Sequence, residues 1–339
     1  MTDDRIVNAG AQPEDEDPHF TFRPERLDEM IGQDDVRDQL AVFIAAARER
    51  KEALEHALLV GPKGLGKTTL GNVIANELGV GFKRTGGQVL ERLELSQILT
   101  SLEPGDVLFI DEIHRVNIRV QEILYPAMED FTIDLVIGQG GPGARAVHVP
   151  LPKFTLIGAT TKEGLISGPL RDRFGVHVRL NFYSPEDLGK IIDRDAGFLK
   201  VEVEPEGREE ISRRARGTPR IAKRYLRRIR DYALIRGEGV VTRDIAARTL
   251  DMLGVDPLGL DEMDRRIMRA IVDRGGFAGL NTIAAAVSED ERTIEDTYEP
   301  YLIQIGFLSR TSRGRSLTAK AYRHIGLTPP PVEPQDSLF

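Results

Sequence analysis

Several stretches of the sequence carry residue types that could do chemistry together. Gly61-Pro62-Lys63-Gly64-Leu65-Gly66-Lys67-Thr68 fits G-x-x-x-x-G-K-[ST]. Glycines such as Gly64 and Gly66 let backbone N–H groups converge on phosphate oxygens. Lys67 would reach the β- and γ-phosphates of ATP, and the Thr68 hydroxyl would ligate Mg2+. Val107-Leu108-Phe109-Ile110-Asp111-Glu112 ends in two carboxylates. Asp111 would hold Mg2+ through its water shell, and Glu112 would polarise the water that attacks the γ-phosphate. His114 follows, open to an ordinary hydrogen-bonding role or a switch role. Gly158-Ala159-Thr160-Thr161 offers a hydroxyl to position that water, with Thr161 preferred to Thr160. In Pro169–Gly175, Arg171 or Arg173 could stabilise charge on the γ-phosphate, against simple pairing with Asp172. Arg220, after Gly217-Thr218-Pro219, starts a helix from which it could contact the nucleotide, or it belongs to a solvated basic face.

The elements that must position these groups follow from the pattern around them. Ala57–Val60, Asp106–Ile110 and Phe154–Ile157 read as strands, with helices over Thr68–Leu78 and Arg119–Met128 between them. Strands alternating with helices predict an α/β fold with a parallel sheet, all three polar motifs lying on the rim at the carboxyl ends of the strands. Thr132–Ile137 and Arg145–Val149 alternate on either side of Gly138–Gly143 and read as a hairpin with a flexible tip. Its Ile133, Leu135, Val147 and Val149 would present an exposed apolar face to a partner. Pro150 follows the second run and is expected to shorten that strand.

From Ser184 onward the sequence turns helical. Ser184 is expected as N-cap, with Pro185 at the first position and acids behind it, and with later turns near Glu204–Gly207, Gly217–Pro219 and Gly237–Gly239. A third segment has helical stretches over Asp261–Arg274, Asn281–Val287 and Ile294–Ile305, then a short hairpin tipped by Ser312-Arg313-Gly314-Arg315. That order predicts a winged helix. The expected boundaries are a disordered acidic tail over 1–19, an ATPase domain over 20–183, a helical lid over 184–256, a winged helix over 257–328 and a frayed tail over 329–339.

Composition narrows the class. With 339 residues, 40% apolar and 29% charged, the chain can build more than one core and is not disordered as a whole. No apolar run approaches the roughly 18 residues of a membrane helix. The first twenty residues lack the basic and apolar regions of a signal peptide. The absence of cysteine fits a cytoplasmic protein. The net charge of −8 argues against nucleic acid only on average. Arg213–Arg230 holds nine Lys and Arg and no acid, and is expected to form a local basic face.

The order of motifs resembles the AAA+ ATPases, and more closely the RuvB family of Holliday-junction branch-migration motors, over roughly Phe22 to Leu327. The specific strings are RPERLDEMIGQ, DVLFIDEIHR, LYPAMEDF, FTLIGATT, PLRDRFGV, RGTPRIAKR and EPYLIQIGFLSRTSRGR. The last two lie outside the generic ATPase core. The resemblance implies a homo-hexameric ring with ATP sites between subunits, double-stranded DNA and the Holliday junction as substrate, a RuvA-like partner and a RuvC-like resolvase. It implies nucleotide contacts from Phe22, Arg23, Gly64, Lys67, Thr68, Thr69, Glu129, Asp130, Phe131, Tyr183 and Arg220. Arg173 matches the arginine finger given to the neighbour's site, and Arg292, Arg310 and Arg315 match DNA contacts. The hairpin's partner would be RuvA. Lys63 and Gly71 replace a usual proline and alanine, and Thr85-Gly86-Gly87-Gln88 replaces a usual Ser-Gly-Pro piece. Lys63 and the altered Thr85–Leu95 segment motivate a second reading, a nucleotide-gated scaffold with weak hydrolysis, and an AAA+ protein remodeller is a third. Glu112 and Arg173 speak against the scaffold, and the lack of a clear aromatic pore loop between Leu78 and Asp106 against the remodeller.

Overall fold

A computed structural model describes residues 22–137 and 145–330. The tip glycines of the hairpin, Gly138–Gly143, and both tails over 1–19 and 331–339 lie outside the described residues. The chain divides into two compact units, residues 22–187 and 188 onward.

The first unit runs α1 (Asp34–Arg50), β1 (Ala57–Val60), α2 (Lys67–Leu78), β2 (Phe82–Gly86), α3 (Arg92–Thr100), β3 (Val107–Asp111), α4 (Ile118–Glu129), β4 (Thr132–Ile137), β5 (Arg145–Pro150), β6 (Thr155–Thr160), α5 (Gly168–Arg171) and β7 (Val176–Arg179). Five strands form one sheet in the order β2-β3-β6-β1-β7, every pairing parallel. β1 and β6 are buried at every residue, whereas the edge strand β7 alternates buried and exposed. A strand covered on both faces needs a continuous apolar run, and an edge strand does not. Leu58, Leu108, Ile110, Phe154 and Leu156 form the middle of the core.

β4 and β5 pair antiparallel as the expected hairpin, with Thr132 opposite Pro150. Pro150 thus closes the strand rather than shortening it. The expected apolar face needs correction. Ile133 is fully buried in the core of the sheet domain, and Val149 is half-buried against it. The Ile133–Val149 pair, at the base of the hairpin, is the part of this face that packs inward. Val147, 39% exposed, stays outside, and the side chain of Leu135 lies outside the described residues.

The second unit holds the lid and the winged helix. α6 (Pro185–Leu199) begins at the expected cap: the Asp187 N–H donates to Ser184 Oγ, which donates to the Asp187 carboxylate. β8 (Glu202–Val203), α7 (Pro205–Arg214), α8 (Pro219–Arg236), β9 (Val240–Val241) and α9 (Arg243–Met252) complete the lid. Glu204–Gly207 is therefore not a turn: Glu204 is the N-cap of α7 and Pro205 its first residue, where a proline costs no hydrogen bond. The basic face of Arg213–Arg230 is also corrected, because Arg214, Arg216, Arg224 and Arg227 are buried.

In the winged helix, α10 (Glu262–Val272), β10 (Phe277–Ala278), α11 (Leu280–Val287), α12 (Glu291–Thr293), a π-helical turn at Ile294–Tyr298 and α13 (Glu299–Gln304) lead into β11 (Leu308–Thr311), β12 (Gly314–Leu317) and α14 (Ala319–His324). The three strands pair in the order β10-β12-β11 around a separate core that includes Ile267, Ile271, Tyr298 and Phe307. Among the described residues, no helix is long and apolar enough to cross a membrane.

Candidate functional site

The sheet order decides the site. β6 lies between β1 and β3, so the loop after β1, the carboxylates at the tip of β3 and the threonines at the tip of β6 share one rim. The Gly61 N–H donates to the Thr160 carbonyl at 3.1 Å, fastening the first of these to the third. The glycine loop turns through positive φ at Gly64 (80°) and Gly66 (98°), and a side chain on Gly66 would begin in open space, its adjoining backbone aside. Such a loop leaves amide groups open to a phosphate chain. The buried Lys67 ammonium donates to the carbonyls of Gly61 (2.6 Å) and Pro62 (3.0 Å), bent over the loop it serves. Thr68 and Thr69 stand in the first turn of α2 and are half-buried. Tyr183 packs its ring beside Gly32, and its hydroxyl donates to the Leu65 carbonyl at 3.4 Å.

Glu112 has a left-handed backbone, φ 49°, between β3 and the short turn Ile113–Arg115. A non-glycine residue held there is strained, and such strain collects at functional positions. Its carboxylate accepts from the Thr161 hydroxyl (3.2 Å) and the Thr161 N–H (3.3 Å). His114 Nδ1 lies 2.9 Å from Thr160 Oγ1 and 3.3 Å from Glu112 Oε2. The two threonines therefore divide the work: Thr161 holds the acid, and the fully buried Thr160 holds the histidine and accepts from the Lys162 N–H.

Asp111 points from the same rim and meets Arg84 of β2 at 3.4 Å. Sequence reasoning missed Arg84, because its approach depends on the β2–β3 register that sets Gly86 opposite Asp111. The divergent Thr85–Gln88 piece also abuts the site. The Gly87 N–H donates to the Asp111 carbonyl at 2.7 Å, and Gln88 accepts from Arg115 at 2.6 Å. A hydroxyl and a carboxylate, Thr68 and Asp111, are hard oxygen donors of the kind Mg2+ takes alongside substrate phosphates. Among the described residues, no three His, Asp or Glu side chains gather into a metal site of their own.

Other candidates lie elsewhere. Arg173 precedes β7, at the amino-terminal edge of the sheet. Its guanidinium donates to the Pro169 carbonyl (2.6 Å) and Glu129 (2.9 Å) and stacks over Tyr125 at 4.5 Å. Phe131 is at that edge too, packed with His56 and Phe154, while Asp130 is the C-cap of α4. The length of β1, roughly 13 Å, separates this edge from the glycine loop. Arg171 only approaches Asp172, at 3.9 Å. Phe22 is half-buried and Arg23 exposed at the start of the described chain. Arg220 stands half-buried in the first turn of α8, in the second unit.

In the winged helix, Arg310 and Arg315 face each other across β11 and β12, and both bond to the fully buried Glu299. Glu295 lies 3.6 Å from each. The Arg310 side chain is still 52% exposed, that of Arg315 only 16%. Arg292 is exposed, and so is Arg313, at the turn over Phe277.

Comparison with known proteins agrees along the chain. The family model for the Holliday junction DNA helicase RuvB P-loop domain matches residues 22–180. The models for the RuvB AAA lid domain and the RuvB C-terminal winged helix domain match 183–256 and 257–326. Among solved structures, the RuvB Holliday junction branch migration motor of Thermotoga maritima is 46% identical with a TM-score of 0.83, covering 91% of this chain and 99% of that one. Two variants of the same protein give TM-scores of 0.85 and 0.84, at 46% and 47% identity. They too cover 91% of this chain, with 100% and 99% of their own. With its P-loop, lid and winged-helix domains matched in that order, this chain belongs to the RuvB family of AAA+ ATPases.

Proposed function

We propose that the chain is an ATP-driven motor that moves double-stranded DNA in branch migration of Holliday junctions, as a homo-hexameric ring in the cytoplasm. The observation that carries the reading is the position of Arg173. It is engaged at the edge of the sheet opposite the glycine loop, which supports a site whose arginine comes from a neighbouring copy. Repeated head-to-tail contacts of that kind close into rings.

The β- and γ-phosphates of ATP lie along the amides of residues 64–69, and Lys67 exchanges the Gly61 and Pro62 carbonyls for phosphate oxygens. Thr68 and Asp111 would hold Mg2+, which would neutralise negative charge on the ATP phosphates. Glu112, steadied by Thr161, takes a proton from water as its oxygen bonds to the γ-phosphorus. The bond to the bridging oxygen breaks, leaving ADP and inorganic phosphate. A neighbouring copy's Arg173 meets the charge on the transferring group. Phe22, Arg23 and Tyr183 serve the adenine side, Arg220 is the lid's nucleotide contact, and Glu129–Phe131 serve the neighbour's site from the edge that carries Arg173. Arg292, Arg310 and Arg315, with Arg313 beside them at the turn, present charge to DNA. Val147, with Leu135, contacts a RuvA-like partner, and a RuvC-like resolvase acts on the same junction.

ATP-dependent unwinding of a synthetic four-way junction, with and without a RuvA-like protein, tests the reading. Unwinding is expected to require ATP and to vanish in Glu112→Gln, which still binds nucleotide. A ring that hydrolyses ATP yet leaves the junction intact under both conditions would count against it.

A further inference from the structure

The segment joining the lid to the winged helix, Gly254 to Leu260, has the glycine and proline content of a flexible linker. Its hydrogen bonding is not that of one. The Gly254 carbonyl accepts from Arg265 (2.7 Å), that of Val255 from Arg214 (2.9 Å), that of Leu258 from the Tyr301 hydroxyl (2.7 Å) and that of Gly259 from Arg216 (2.6 Å). Leu260 accepts from the Asp256 N–H (2.9 Å), and the Asp256 carboxylate takes the N–H groups of Leu258 and Leu260. His324 closes on the other oxygen of Asp256 at 2.7 Å. Donors come from both sides, Arg214 and Arg216 from the lid, Arg265, Tyr301 and His324 from the winged helix. A linker free to bend leaves these groups to water.

At the centre is Arg216. Its side chain is 2% exposed, and its guanidinium reaches Asp264 (2.6 Å) and Asp261 (3.0 Å) and lies over the Tyr301 ring at 5.5 Å. Asp261 and Asp264 are the reciprocal cap of α10: Asp261 accepts the Asp264 N–H, and Asp264 accepts the Asp261 N–H. One lid residue therefore grips the start of the first helix of the winged helix. The backbone is equally close. Gly259 has φ 79°, and a side-chain carbon on it would collide with the Arg214 carbonyl. Arg216 itself takes φ 56° in the turn between α7 and α8, four residues before Arg220. Its carbonyl accepts from the Thr218 hydroxyl, and Thr218 is the N-cap residue of α8.

We propose that Arg216 is a positioning residue that couples the nucleotide to DNA, by locking the lid and the winged helix into one rigid body. A movement imposed on Arg220 is then delivered to the wing without loss in the linker. The coupling role rests on the function proposed above, while the rigidity can be measured without it. Because the chain has no cysteine, Glu209→Cys on α7 and Ala285→Cys on α11, both exposed, can carry a pair of spin labels. The distance distribution between them is expected to be narrow and the same with ADP, with a non-hydrolysable ATP analogue and without nucleotide. Arg216→Ala is expected to broaden it at least twofold. In the same variant, ATP hydrolysis without DNA is expected to stay within about twofold of the parent, while junction unwinding per ATP falls about tenfold.

A width unchanged in folded Arg216→Ala overturns the proposal, as does a parent distribution that shifts with nucleotide. Should Arg216→Ala not fold, Arg216→Lys keeps the charge and loses the planar fork that reaches Gly259, Asp261 and Asp264 together, and an unchanged width there overturns it equally. If hydrolysis and unwinding fall in parallel, Arg216 only supports the fold. A parent chain that never unwinds junctions refutes the function proposed above, and the widths still decide whether the joint is rigid.

Discussion

Gly71 interrupts α2 with the residue that, proline apart, favours a helix least, and alanine there would gain about 1 kcal/mol in propensity. A side-chain carbon at that position, however, would stand 2.6 Å and 2.9 Å from ring carbons of the buried Phe109. Overpacking a core costs about 1–3 kcal/mol, so Gly71→Ala is expected to destabilise, and Phe109→Leu in the same chain to recover most of the loss by denaturant unfolding. His56 makes a second prediction at this scale. Its Nδ1 accepts from the Leu156 N–H at 2.8 Å, and its Nε2–H donates to the Met128 carbonyl at 3.0 Å, which requires the neutral ring. Burial pulls its pKa below the usual 6.5, outweighing the Met128 carbonyl and Glu55, which raise it. Below 6.5 the unfolded chain takes up a proton that the folded chain refuses. The stability is therefore complete above that pH and is lost as pH falls through the lowered folded value. His56→Gln is expected to cost about 1–2 kcal/mol near pH 7.5 through its hydrogen bonds. Between pH 7 and 5 it should lose stability less steeply than the parent, and parallel pH curves for the two would refute the assignment. The meeting of the glycine loop, Glu112 and Thr161 on one rim was legible in the sequence because each motif is made of consecutive residues at a strand end. Arg84 was not, since its meeting with Asp111 depends on strand register, a tertiary property.

The wing shows the same limit in an element. An Arg-tipped hairpin reads as a DNA contact, yet Glu299 beneath it is fully buried and needs cations. Arg315, being mostly buried, belongs first to that carboxylate. Arg315→Ala is expected to cost about 3 kcal/mol of stability, the low end for breaking a buried pair because Arg310 remains. Arg313→Ala should leave stability alone, weaken duplex binding and flatten the log–log salt dependence by roughly 0.9. Thermal melts beside salt titrations of DNA affinity separate the two, and a wing in which Arg315→Ala costs only affinity would restore the reading from sequence. The β4–β5 hairpin was foreseen as an element but not in its orientation. Its alternation named two faces, and only packing told that Ile133 turns inward. The basic stretch at Arg213–Arg230 was misjudged for a related reason, since a run of charge does not reveal which members are paired inside.

For the whole molecule, the three-domain order was legible because each domain carries its own signal: strands ending in chemistry, capped helices, then helices and a hairpin. Rigidity of the joint was not, because the acceptors around Arg216 come from residues 43 to 48 positions away. Arg173→Ala is expected to bind ATP and fail in turnover, as is a ring in which every glycine loop is disabled by Lys67→Ala. Mixing the two proteins should recover part of the hydrolysis, because an intact loop then meets an intact arginine. Mixed rings confirmed by mass that show no recovery would place the finger elsewhere. The opposite edges that hold loop and arginine have a further consequence, in the kinetics of assembly. On the proposal that each site takes its arginine from a neighbour, a lone subunit would own two half-sites and no whole one, an open row of n subunits would have n − 1 complete sites, and a closed ring n. Turnover per subunit should therefore climb more steeply than linearly with protein concentration and level off only when rings close, so that dilution alone acts as an inhibitor.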